Sequence, residues 1–163
     1  AGSTNLAIAK AISPELPFTL VTNAPAIAAE AMNLPRCEVI VLGGRIQTRT
    51  GAALGIAPLK QVEGMRFDQC FLGACALDAR EGLTVFDYEE AEFKRALARQ
   101  SGEVIVAMTA DKIPSIARYT VMPCADISLL VVEHDMAKDR LAPFVERGMD
   151  VRFSALAQDP EIP

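Results

Sequence analysis

A short apolar run that stops at glycine and gives way to a helical pattern recurs along this chain. That alternation limits the folds open to it more than any other feature. Its fullest copy is Phe67-Asp68-Gln69-Cys70-Phe71-Leu72-Gly73-Ala74, followed by Gly82-Leu83-Thr84 and then Asp87-Tyr88-Glu89-Glu90-Ala91-Glu92-Phe93-Lys94-Arg95. A buried strand ending in glycine, a turn, and a helix whose first turns hold acids and a lysine place polar groups where a strand stops. In open α/β sheets that is where small molecules bind, because the loops there carry polar groups on a rigid support.

The same pattern runs through the rest of the chain. Phe18-Thr19-Leu20-Val21-Thr22 is a β-rich run bounded by Pro17 and Asn23, with an alanine-rich helix from about Ala24 to Met32 after it. Glu38-Val39-Ile40-Val41-Leu42 is a continuous apolar strand entering Gly43-Gly44, a pair that allows close approach by a ligand or forms a plain turn. Arg45 to Gly55 suggests a loop or short hairpin, and Pro58 to Val62 the core of a short helix ending at Gly64. Asp87 is placed as the N-cap of the next helix, with Glu90 in a capping-box position and Gly102 as the stop.

Strands follow at Glu103–Thr109 and Ile127–Val132, with a short one at Tyr119-Thr120-Val121. A helix interrupted or begun late by Pro143 spans Lys138 to Arg147, and Asp150–Phe153 is a closing strand. Repeated β-then-α order implies a three-layer αβα domain with a mostly parallel sheet and right-handed crossovers. The domain is expected over residues 1–155, with 156–163 as a loosely held tail.

The 163 residues suit one domain, and 51% hydrophobic residues is a globular composition. A net charge of −5, with 16 basic residues that form no runs, argues against tight binding of a phosphate backbone by this stretch alone. Cys37, Cys70, Cys75 and Cys124 are irregularly spaced and read as reduced thiols, with Cys70 and Cys124 in or beside apolar runs; no metal site is expected. No apolar run approaches the ~20 residues of a spanning helix and no signal-peptide layout is present, so a cytoplasmic protein without membrane contact is expected.

Three groups invite a chemical reading. Gly2-Ser3-Thr4 opens a helical pattern of Leu6, Ile8, Ala9 and Ile12, where unpaired amides and the helix dipole favour an anion; the plainer alternative is an ordinary Ser or Thr N-cap. Glu90 and Lys94 are four apart on one helix face, which on spacing alone favours a surface ion pair. His134, the sole histidine, follows a strand with no nucleophile beside it and reads as structural.

Taken together, Gly2-Ser3-Thr4, Val21-Thr22-Asn23, Val41-Leu42-Gly43-Gly44, Asp68 with Phe71-Leu72-Gly73-Ala74, Gly82-Leu83-Thr84, Asp87 with Glu90-Ala91 and Lys94-Arg95, Lys112, and Ala125-Asp126-Ile127 resemble the C-terminal effector-sensing domain of DeoR-type transcriptional repressors. The ordered set runs from residue 2 to about residue 153. The resemblance implies a fold similar to the sugar-phosphate isomerase and CoA-transferase type. It also implies a homo-oligomer that binds a phosphorylated sugar or sugar alcohol without a cofactor and contacts DNA only through a separate N-terminal helix-turn-helix.

For such a ligand, Gly2, Ser3, Thr4, Gly43, Gly44 and Gly73 are candidate anion cradles and Lys94 and Lys112 candidate cations. Asp87, Glu90 and Asn23 are candidate partners for hydroxyls, and Thr22 and Ala74 are further candidate ligand-binding residues. The run Phe86-Asp87-Tyr88 resembles that of repressors responsive to glycerol 3-phosphate.

Two departures stand out. The strand and aspartate that usually precede the first glycine turn of the family do not precede Gly2, so the sheet is expected to lack a strand. Thr109 also stands where an aspartate usually lies three residues before the lysine matching Lys112. A sugar-phosphate isomerase on the same fold is the rival reading. It would carry a carboxylate-rich Asp-Gly-Ala-Asp run where this chain has Leu72-Gly73-Ala74-Cys75, which leaves Glu90 as the one candidate base and no catalytic residue assigned.

Overall fold

The computed structural model describes residues 2–155. Helix α1 (Ser3–Lys10) leads to strand β1 (Phe18–Thr22), helix α2 (Pro25–Ala31) and strand β2 (Cys37–Val41). A hairpin of β3 (Arg45–Gln47) and β4 (Ala52–Leu54) precedes helix α3 (Ile56–Glu63). Strand β5 (Phe67–Gly73) is followed by a second hairpin, β6 (Ala76–Asp78) with β7 (Gly82–Val85), and by helix α4 (Tyr88–Arg99). Strands β8 (Ser101–Met108), β9 (Tyr119–Met122) and β10 (Leu129–Val132), helix α5 (Lys138–Val145) and strand β11 (Val151–Phe153) complete the domain.

The centre is a four-stranded, wholly parallel sheet in the order β11-β10-β8-β5. Strand β8 is buried from Val104 to Met108, the continuous apolar burial expected of an inner parallel strand. Cys70, Leu72, Val104, Val106, Leu130 and Val132 join Leu141 and Phe144 of α5 and Ala91 of α4 in the main core. Phe71, Ile105 and Ala107 have the opposite parity and face the layer where α1 lies. The result is the three-layer αβα arrangement read from the alternation.

The parallel ladder is not continuous. Strands β1 and β2 pair in parallel with each other, and among the described residues no ladder joins them to β5. Helix α1 lies between the two blocks, touching α2 and β5. The Asn5 side-chain amide donates to the Phe71 carbonyl at 2.7 Å, on the side of β5 that has no strand neighbour.

Several boundaries differ from the sequence reading. The first helix ends at Lys10, before Ile12, and its cap is Gly2: neither Ser3 nor Thr4 caps with its side chain. Gly102 does not stop α4, which ends at Arg99 with Gln100 as cap; Gly102 sits in β8, where an added Cβ would meet the Asp68 carbonyl at 3.0 Å. Strand β10 starts at Leu129, because a 3-10 turn over Cys124–Asp126 occupies the chain before Ile127.

Pro143 lies inside α5 without interrupting it. Strand β6 had no sequence signal, and with β7 and β9 it forms an antiparallel sheet. Gly82 begins β7 at φ 78°, where a Cβ would stand 2.2 Å from the Met122 carbonyl, so the turn admits only glycine. The tail expected over 156–163 lies outside the described residues.

Candidate functional site

A cavity of about 370 Å³ opens where β5 ends, between the start of α1, the first two turns of α4 and the tip of the β3–β4 hairpin. Gly2, Ser3 and Thr4 of the α1 start, Gly73 and Ala74 at the β5 end, Glu90 and Lys94 of α4, and Lys112 in the 3-10 turn after β8 all line it. Eight of the thirteen residues singled out from the sequence therefore meet in one place. The first-turn amides of α1 have no partner within their own helix, so the helix start offers donors and the positive end of a dipole.

The Lys94–Glu90 pair is not the surface pair that its spacing favoured. Nζ and Oε1 are 2.6 Å apart, and the two side chains are only 8% and 12% exposed. Lys94 is buried because α4 packs on β5 and β8 and carries Phe93 and Ala96 into the second core cluster with Leu42, Leu54 and Val62. Two of the three ammonium donors have no partner among the described residues. A compact cation at the rim of a low-dielectric site attracts an anion more strongly than a solvated one does.

Asn23 borders a smaller cavity of about 40 Å³ that adjoins the first one and shares Thr50, Gly73, Glu90 and Lys94 with it. Its amide is engaged in the fold: Nδ2 donates to the Ala53 carbonyl at 2.9 Å.

Four candidates border neither cavity. The Thr22 hydroxyl accepts from the Ala24 amide at 3.1 Å and so helps turn β1 into α2. The Gly43 amide donates to Gln61 Oε1 at 3.2 Å. Gly44 adopts φ 148° and leaves room for Pro58, whose Cδ would lie 2.9 Å from an added Cβ. That glycine pair contacts α3 through Gln61 and Pro58 and lines neither cavity.

Asp87 acts as the N-cap of α4, accepting from the Glu90 amide at 3.0 Å. It also accepts from Gln47 Nε2 at 3.0 Å and faces Arg49 at 3.4 Å. Burial opposes its ionisation, but the Glu90 and Gln47 hydrogen bonds and the Arg49 charge prevail and hold its carboxyl below the ordinary aspartate range. The reciprocal half of the capping box is not made, since the Glu90 carboxylate turns to Lys94.

Five residues of the cavity, Asn5, Arg49, Thr50, Cys75 and Phe86, are not among the candidate ligand residues read from the sequence. Asn5 is 8% exposed and its Oδ1 has no partner, leaving a buried acceptor at the cavity wall. The polar run Gly2 to Asn5 could have signalled it. Arg49 and Thr50 arrive from the hairpin turn, and nothing local marks them. Cys75 also borders the cavity, 4.0 Å from Glu90 Oε1. Burial pushes the thiols of Cys70 and Cys124 up, in keeping with inert core thiols. The Thr109 hydroxyl is engaged with Asp111, and His134 is exposed after β10.

Among the described residues no helix is long and apolar enough to cross a membrane, and no group of three or more His, Cys, Asp or Glu is arranged to hold a metal ion.

A parallel sheet whose strand end meets two helix starts and a buried lysine is an open α/β domain with a crevice outside the carboxyl end of a strand. The family model described as the DeoR C terminal sensor domain matches residues 1–134, and the chain belongs to that family. It is 29% identical over 154 residues to the HTH-type transcriptional regulator GolR of Listeria innocua, covering 94% of this chain and 61% of that protein. It is 27% identical over 151 residues to the HTH-type transcriptional regulator GlpR of Haloferax volcanii, covering 93% and 59%. The glycerol-3-phosphate regulon repressor of Escherichia coli K12 is 31% identical over 111 residues, covering 68% of this chain and 44% of the repressor. The chain spans at most about three fifths of the length of these relatives.

Proposed function

We propose that this chain is the sensing part of a cytoplasmic transcriptional repressor that binds a phosphorylated sugar or sugar alcohol at the end of β5. The domain comprises residues 1–155, and DNA contact belongs to a helix-turn-helix outside this sequence. The observation that carries the reading is Lys94, 7% exposed with a single carboxylate partner and lining the same cavity as the start of α1. That shared lining suits one anionic group, and the unpartnered Asn5 Oδ1 with the Glu90 oxygen not paired to Lys94 suits hydroxyls beside it. The Escherichia coli relative is named for glycerol 3-phosphate, which makes that polyol phosphate the first ligand to try.

The reading is non-catalytic. The strand end carries Leu72-Gly73-Ala74-Cys75, and its nearest acid, Glu90, is tied to Lys94, so no free base stands ready for proton transfer. Occupancy acts by favouring one conformational or oligomeric state, which requires the ligand to bind the states unequally. Homo-oligomers supply such states.

Thermal-shift and calorimetric titration with glycerol 3-phosphate, hexose phosphates and their unphosphorylated parents tests the proposal. A phosphorylated binder at a hundredfold excess over its Kd stabilises the chain by about 2.7 kcal/mol, and its parent sugar or polyol does not. No response to any phosphate overturns the sensor reading. Aldose–ketose turnover lost in Glu90→Gln would establish the isomerase instead.

A further inference from the structure

We infer that Arg49 is a second anion ligand of this cavity, parked on Asp87 when the site is empty and exchanging that carboxylate for the phosphate of the effector. The inference rests on the sensor reading above and adds a residue to it. Lys94 is neutralised by Glu90 at 2.6 Å, so Arg49 and Lys112 are the cavity-lining cations without so close a partner among the described residues. A phosphate dianion needs more than the shared charge of Lys94.

Arg49 can change partners at little cost. Its contact with Asp87 is long, 3.4 Å through one nitrogen, and its side chain is 61% exposed, a setting in which an ion pair contributes little. Asp87 does not depend on it: Gln47 already donates to the same oxygen, Oδ2, and the Glu90 amide to the other. Five N–H donors in a planar fork match a phosphate far better than one long contact to a carboxylate.

The backbone beneath Arg49 is fixed. The Gly51 amide donates to Gln47 O at 2.8 Å, and Ala53 exchanges hydrogen bonds with the backbone carbonyl and side chain of Asn23 at 2.7 and 2.9 Å. Residues Ala52 to Leu54 are buried. The exchange therefore proceeds by rotation of the side chain on a rigid hairpin. The carboxylate released is the cap of α4 and stays held by Gln47 and the Glu90 amide.

Calorimetry on wild type, Arg49→Gln, Arg49→Lys and Asp87→Asn tests this with inorganic phosphate, glycerol 3-phosphate, hexose 6-phosphates and the unphosphorylated parents. Arg49→Gln is expected to weaken every phosphorylated probe that wild type binds by about ten- to a hundredfold and to leave unphosphorylated parents unaffected. Arg49→Lys should recover part of the loss, as a point charge without the fork.

Asp87→Asn keeps the cap but removes the competing charge, so its affinity for the same probes should equal or exceed that of wild type. A hairpin brace would respond differently: both substitutions would then weaken binding alike, and that result overturns the inference. So does Arg49→Gln binding phosphates as wild type does, an outcome that leaves the sensor reading standing. If wild type binds no phosphate at all, both fall together. Melting temperatures of all four proteins, read in parallel, separate loss of binding from loss of fold.

Discussion

Strands β2 and β5 finish alike in sequence, an apolar run reaching glycine, yet their ends do different work. At β2, Gly43 donates to Gln61 and Gly44 makes room for Pro58, so the junction is consumed by packing. At β5, Gly73 and Ala74 line a cavity together with residues of α1 and α4. The difference lies in the neighbours. Strand β5 has β8 on one side and the start of α1 on the other, whereas β2 belongs to a two-stranded sheet packed on α2, with α3 meeting the glycines after it. A glycine at a strand end is permission for close approach; what approaches is decided elsewhere.

This contrast can be broken at several points. The largest effect is expected beneath the β5 end, where Leu72 is 1% exposed in the main core: Leu72→Ala should cost about 4 kcal/mol in urea unfolding. Lys94→Met should come next, losing about 3 kcal/mol because it leaves the Glu90 carboxylate buried and unpaired. The double variant Glu90→Gln/Lys94→Met should regain much of that stability but bind no phosphorylated ligand. Recovery of stability together with full affinity would remove Lys94 from the site.

At the β2 end, Gly44→Ala should destabilise by roughly 1–2 kcal/mol through strain at positive φ and pressure on Pro58, with ligand affinity unchanged. A large loss of affinity there would show that the two junctions are alike after all.

The smallest expected effect concerns acid. Because the folded state holds the Asp87 carboxyl below its ordinary range, its contribution is fully present above the unfolded value of about 3.9 and disappears as pH falls through the lower folded value. Urea unfolding between about pH 5 and pH 2 should therefore show a steeper acid loss for wild type than for Asp87→Asn.

Much of this architecture was legible because it is written in local terms. Asp87 followed three residues later by Glu90 marks the start of α4, and the cap forms as the spacing indicates. The burial of β8 follows from its unbroken apolar run. By contrast, Gly102 looked like a helix stop but lies against Asp68 in the sheet, a constraint imposed by a neighbour 34 positions away. Strand β6 carries no alternation of its own and exists because β7 pairs with it.

The site divides in the same way. Ser3, Thr4, Gly73 and Lys94 stand out as candidates because strand ends and helix starts collect polar groups whatever surrounds them, and all four line the cavity. Their candidacy follows from the period of the apolar pattern and the dipoles of the backbone, which one stretch of chain determines alone. Whether Lys94 is solvated or buried, whether Gly44 meets a ligand or Pro58, and that Arg49 reaches the same cavity from a hairpin were decided by tertiary packing. Dielectric surroundings and partners are properties of the space between elements, and residues far apart in the chain fill that space together.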